Sequence, residues 1–130
     1  MKNKLKNNGS VLLVTIFVIA FLSALVIGML QMNTEEIQLV QNQIYAAQAL
    51  ATAEAGLNDA FSELRADPNW SDGFNDKAFE GGSYSVDVND STITSTGTSS
   101  QDFVARVEAD ITIGSTSPYA IRINHLRINE

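Results

Sequence analysis

Few side chains in this sequence could do chemistry. His125 is the only histidine and there is no cysteine. No glycine-rich phosphate loop follows a strand pattern. Most catalytic constellations therefore cannot be assembled, nor can a thiolate metal site, a disulfide framework or a lipid-modified cysteine. Oxygen ligands for a cation stand at Asp72, Asn75 and Asp76, and again at Asp87, Asn89 and Asp90. Neither run has the spacing of a calcium loop, and both read as solvated turns. His125 reads as a residue on the surface of a strand. No active site, cofactor or metal is expected. One carboxylate is out of pattern: the steps Leu50, Glu54, Leu57, Phe61 place Glu54 in line with large apolar residues on one helix face. A buried charge needs partners. The expectation is that Glu54 accepts hydrogen bonds from a loop or sheet and pins a small domain to the helix, an ion pair with another chain being the alternative.

A helix must carry Glu54, and its limits are readable. No proline occurs before Pro68, and between Ser10 and Ala66 the only glycines are Gly28 and Gly56, so nothing forces a break. A helix over residues 10–66 would be roughly 85 Å long at about 1.5 Å per residue. Its first part, Val11 to Leu30, holds no charge and matches the roughly 30 Å of a bilayer's hydrocarbon. Its second part has Ile37, Val40, Ile44, Leu50, Leu57, Phe61 and Leu64 at steps that fit one apolar face, with Ala47 filling a gap. Burial of that stripe against a sheet is the expectation, at about 1.5 to 3 kcal/mol per large side chain. Ala20, Ala24 and Gly28, and then Ala47, Ala51 and Ala55, form two lines of small residues spaced by four, a surface that lets helices approach closely.

Charge divides the chain in the same place. Lys2, Lys4 and Lys6 precede the apolar run, and all 15 acids follow it, beginning with Glu35. The positive-inside rule then puts the N-terminus in the cytoplasm and the remainder outside it. A formal charge of −7, with only Arg65, Lys77, Arg106, Arg122 and Arg127 basic beyond the N-terminus, argues against a nucleic-acid partner.

Three readings suit such a segment. A secretory signal would be cut on its far side, where the best site, Val26-Ile27-Gly28, is weak. A plain anchor would stay uncut. In the third reading the cut falls on the near side, between Gly9 and Ser10, and the helix stays with the mature chain. A short basic leader ending in Gly9, a small Ser10 and an unbroken apolar helix resemble a type IV prepilin signal. The continuation from Tyr45 to Leu57, with its core Ala53-Glu54-Ala55-Gly56-Leu57, is similar to the N-terminal region of PilX-type minor pilins. The likeness covers roughly Gly9 to Leu64. Gly81 to Val86 and Ile93 to Gly97 also look like sheet segments of such proteins.

That resemblance implies removal of residues 1–9 by a prepilin peptidase and methylation of Ser10. Nine residues lost from 130 leave 121, and three lysines lost take the formal charge from −7 to −10. It also implies an inner-membrane protein with a periplasmic domain that later joins a pilus or a type II secretion pseudopilus, its partners being other pilins or pseudopilins through the N-terminal helix. Most major pilins carry glutamate four residues after the new N-terminus; Val14 stands there. A carboxylate in lipid is costly without a partner, and Val14 removes both the cost and the pairing. In this respect the chain is similar to PilX-type proteins and to the K-type pseudopilin, which implies a minor or tip-proximal subunit rather than the bulk filament protein. The alternative from the residues alone is a membrane-anchored extracytoplasmic binding module that does not polymerise.

The rest of the domain plan is α+β: residues 10–30 as the transmembrane half of the helix, 31–66 as its amphipathic half, 67–82 as a connecting loop and 83–130 as an antiparallel sheet of about four strands. Asp67-Pro68 should end the helix. Trp70, Phe74 and Phe79 in the loop are expected to tuck against helix or sheet, an exposed surface for another subunit being the alternative. Tyr84, Val86 and Val88 alternate with polar residues, then turn at Asn89-Asp90 into Ser91 to Thr96. Phe103 to Ile113 alternate over a long strand. In the last strand Leu126 and Ile128 are out of phase with Tyr119, Ile121 and Ile123, which predicts a bulge or a strand end near Asn124-His125.

Overall fold

The computed structural model describes residues 4–129, with side-chain surroundings from Gly9 onward. Met1 to Asn3 of the expected leader, Lys2 among them, lie outside the described residues, as do the side chains of Lys4 and Lys6. The chain divides into two units, Met1–Gln41 and Asn42–Glu130.

One helix, α1 (Lys4–Ala66), supplies all the secondary structure of the first unit and the helical layer of the second. It stops where the sequence predicts. The Asp67 amide donates to the Glu63 carbonyl at 2.8 Å, its side-chain carboxylate accepts from the Asn69 amide at 2.9 Å, and its carbonyl accepts from the Trp70 amide at 3.1 Å. Pro68 has no amide to continue the ladder.

In the second unit α1 packs on a five-stranded antiparallel sheet of β1 (Phe74–Phe79), β2 (Gly82–Asn89), β3 (Thr92–Thr98), β4 (Val104–Ile113) and β5 (Ile121–Asn129), in that spatial order. The fold is α+β with one strand more than the expected four. The extra strand is β1, inside the stretch 67–82 expected to be loop. Its register runs Phe74 opposite Val86 and Lys77 opposite Tyr84, so three steps on β1 face two on β2. That bulge hides the alternation: Phe74, Lys77 and Phe79 share the helix side, a spacing of three and then two that matches no strand period. Glu80 and Gly81, both at positive φ (42° and 84°), close the hairpin in the sense that matches strand twist. Trp70, Phe74 and Phe79 pack on the core, as expected.

β4 and β5 hold the predicted irregularity. Asp110 faces His125 and Ile111 faces Ile123, leaving Asn124 as the extra residue. The bulge brings Leu126 and Ile128 back to the side of Ala109 and Val107.

The core lies between the sheet and the later part of the expected stripe, joined there by a line of small residues. Ala49, Ala53, Leu57, Ala60, Phe61 and Leu64 are buried, and Leu50 is half-buried. Ile37, Val40 and Ile44 of the predicted stripe stay 55, 52 and 58% exposed. Small residues make the difference, because they bring helix and sheet close. A Cβ added to Gly97 of β3 would collide with the Ala49 carbonyl oxygen and the Ala53 nitrogen, and one added to Gly56 would lie 2.7 Å from Tyr84 Cδ2. At that spacing Ala49, Ala53, Gly56 and Ala60 fill the contact directly, and large side chains enter only where the helix runs on toward its end.

Candidate functional site: an uncovered apolar helix and a latched sheet

Within the first unit the large apolar side chains from Val11 to Leu30 are all between 46 and 70% exposed. The helix there is long and apolar enough to cross a membrane. The hydroxyls inside the run do not oppose this. Thr15 donates to the Val11 carbonyl and Ser23 to the Ile19 carbonyl, each at 2.8 Å. Such back-bonding satisfies a hydroxyl without water, which a hydrocarbon environment demands.

The sequence-predicted packing residues lie on this helix as follows. Gly9 and Ser10 are exposed, as are Ala20 and Ala24, and Gly28 is half-buried with open space where a Cβ would stand. In the second unit Ala47 and Ala51 are exposed and Ala55 is half-buried. They stand two residues from the buried Ala49 and Ala53, about 200° around the helix, hence on the side away from the sheet. Two parallel lines of small residues thus run along this part of α1. One is consumed by β3, and the other remains free for a second helix.

Glu54 does not pin the domain. It is exposed, and among the described residues no ion pair or hydrogen bond involves its side chain. The steps of four and three that line it up with Leu50 and Leu57 follow a stripe the sheet covers only on one flank. The pinning carboxylate is Asp59, five residues on. It accepts a hydrogen bond from the Tyr84 hydroxyl at 2.6 Å and an ion-paired hydrogen bond from Lys77. One side chain of α1 thereby ties β1 and β2.

The electrostatics of this latch follow from its contacts. The hydrogen bond from Lys77, then that from Tyr84, hold the Asp59 carboxyl below the usual carboxylate range. The bond to Asp59 raises the Lys77 ammonium above its ordinary value. Burial first, and then the bond to Asp59, push the Tyr84 phenol up. Lys77 Nζ also lies 4.5 Å from the centre of the Phe74 ring, a favourable cation–π placement. Phe74 packs in turn against Trp70 in a tilted pair at 5.1 Å and meets Tyr84 edge-on at 6.0 Å. Gln48 makes a second tie, donating to the Glu80 carbonyl at 3.3 Å and accepting from Ser100 at 3.4 Å. Neither Asp59 nor Gln48 stood out in the sequence. The available signal was Lys77, the only cation between Arg65 and Arg106, which needed an acid on the facing helix.

The remaining candidate side chains are dispersed. Asp72, Asn75, Asp76, Asp87, Asn89 and Asp90 are exposed around β1, β2 and the β2–β3 turn. Among the described residues no three His, Cys, Asp or Glu side chains group as metal ligands would. His125 is exposed on the outer face of β5, opposite Asp110. The arrangement holds a small sheet domain on one face of α1, and the large apolar side chains from Val11 to Leu30 stay exposed. In comparisons with known proteins, no family model, no curated protein and no solved structure matches this chain.

Proposed function

We propose that this chain is a minor, tip-proximal subunit of a type IV pilus or of a type II secretion pseudopilus, with no catalytic turnover. A prepilin peptidase cuts between Gly9 and Ser10, and Ser10 is methylated. The mature chain rests in the inner membrane with its N-terminus cytoplasmic and its sheet domain periplasmic. It is then drawn into the filament, where its helix packs among the helices of other pilins or pseudopilins.

One observation carries this reading: the apolar run Val11 to Leu30 is exposed throughout and belongs to a helix that continues unbroken to Ala66. Apolar surface on that scale requires lipid or other helices to cover it. The line of Ala47, Ala51 and Ala55 in the second unit supplies small residues for close packing beyond the apolar run, which a plain anchor has no use for. Val14 supports a minor place over the bulk subunit, because no carboxylate is present to meet a neighbour's terminal amine.

The test is fractionation. Filaments sheared from cells that assemble them are expected to contain the chain in substoichiometric amount, with gold-labelled antibody at filament ends. A chain found only in the inner membrane, in cells whose filaments are intact, would establish the non-polymerising anchored module instead.

A further inference from the structure

The order β1-β2-β3-β4-β5 leaves two open edges, and each contains one bulge with opposite results. β1 has six residues, and its bulge turns the charged Lys77 to the helix side. A short strand with an inward charge is a poor template for pairing. β5 has nine residues with neither proline nor glycine, and its bulge at Asn124 turns every inward position apolar. Ile123, Leu126 and Ile128 stand beside the buried Ile111, Ala109 and Val107, yet remain 47 to 51% exposed. Without the bulge Leu126 and Ile128 would point to the other face. The chain breaks its register to extend an apolar strip that none of the described residues fully covers.

The outer face of β5 is basic in an acidic protein. Arg122, His125 and Arg127 stand there opposite Thr112, Asp110 and Glu108, and no acid occurs from Ile121 to Asn129. Arg127 is held by Glu108 at 2.7 Å and Asp110 at 2.9 Å. Among the described residues Arg122 makes no ion pair.

We propose that the β5 edge accepts an extended strand of another protein, with acidic side chains on its outer face and branched apolar side chains on the helix side. Main-chain bonds would form with the alternate amides and carbonyls of β5 that β4 does not use. Acids of the guest strand would lie next to Arg122, and its apolar residues next to Ile123, Leu126 and Ile128. A second copy of the chain fits less well. Antiparallel β5–β5 pairing centred on His125, with Asn124 the extra residue of each strand, sets Arg122 of one copy against Arg127 of the other, and the β1 edge offers Lys77 and a bulge. The inference does not depend on whether the chain polymerises.

The experiment uses the full chain in nanodiscs of zwitterionic lipid and two fluorescent peptides matching β5 in length. One alternates glutamate with valine and isoleucine; the other has lysine for glutamate. The acidic peptide is expected to bind saturably, to slow amide exchange within residues 121–129, and to lose about tenfold in affinity with Arg122→Glu. That variant should bind the lysine peptide better, with Trp70 fluorescence showing an unchanged melting temperature. Ile123→Lys, at an exposed position, should weaken binding with the fold intact. Equal binding of both peptides, binding of neither, or protection outside β5 would overturn the proposal. So would self-association abolished by Leu126→Lys, or protection of β5 by anionic lipid without peptide.

Discussion

Val11–Leu30 and Ala49–Leu64 belong to one helix, yet they handle apolar surface in opposite ways. The first is large-residue, unbroken in its hydrophobicity and exposed on every side; the second is built on alanine and glycine along one face and buried there by a sheet. Bulk does not identify which part is inside. Leucines and valines of the first region await a solvent or partner outside the chain, whereas Ala49 and Ala53 are covered because they let a strand come close. A helix face read by counting large side chains is therefore read correctly only where its neighbour stands at ordinary distance.

The sharpest way to break that contrast is to put a charge into the first region. Leu22→Arg should cost about 3 kcal/mol of insertion free energy, and the chain should leave the membrane fraction on alkaline extraction. The second region should respond to bulk instead. Gly97→Val should cost about 2 to 3 kcal/mol or abolish folding, because the backbone atoms of Ala49 and Ala53 have no room to give; thermal melting followed by Trp70 fluorescence measures it.

The latch comes next in size. Tyr84→Phe should cost about 1.5 kcal/mol, since it deprives a carboxylate of a donor. The wild type should lose stability at both ends of the pH scale. With its folded value lowered, Asp59 contributes fully above its ordinary 3.8 and loses that contribution as pH falls through the lowered value. Lys77, with its folded value raised, contributes fully below its ordinary 10.5 and ceases to do so as pH rises through the raised value. Smallest of all is Glu54→Ala. An exposed side chain without partners should shift stability by less than about 0.5 kcal/mol, and a large drop in melting temperature would restore the pinning role to Glu54.

The outline of the fold was readable because its signals were local. Pro68 marked the end of α1, strict alternation marked β2 and β4, and the phase slip of Leu126 and Ile128 located the bulge at Asn124. Features that depend on two segments at once were not readable. β1 reads as loop in the sequence because the extra residue between Phe74 and Lys77 breaks its period. Leu57, Phe61 and Leu64 were legible as core, but Ala49 and Ala53 were not, because the close approach that buries them depends on Gly97, on a strand more than thirty residues further along the chain. Asp59 looked like one surface acid among many until Lys77 and Tyr84 were brought to it. The line of Ala47, Ala51 and Ala55 was legible as spacing, but the neighbouring line of Ala49 and Ala53 was not, because its burial is set by β3.

Everything in the functional reading turns on whether Val11–Leu30 stays in the finished protein behind a cut at Gly9. Intact-mass analysis of the chain recovered from membranes or filaments decides this directly. The account predicts a product of 121 residues beginning with N-methylated Ser10, with Val11 to Leu30 retained. A chain that begins near Met29, or one that keeps its lysine-bearing leader, would contradict it.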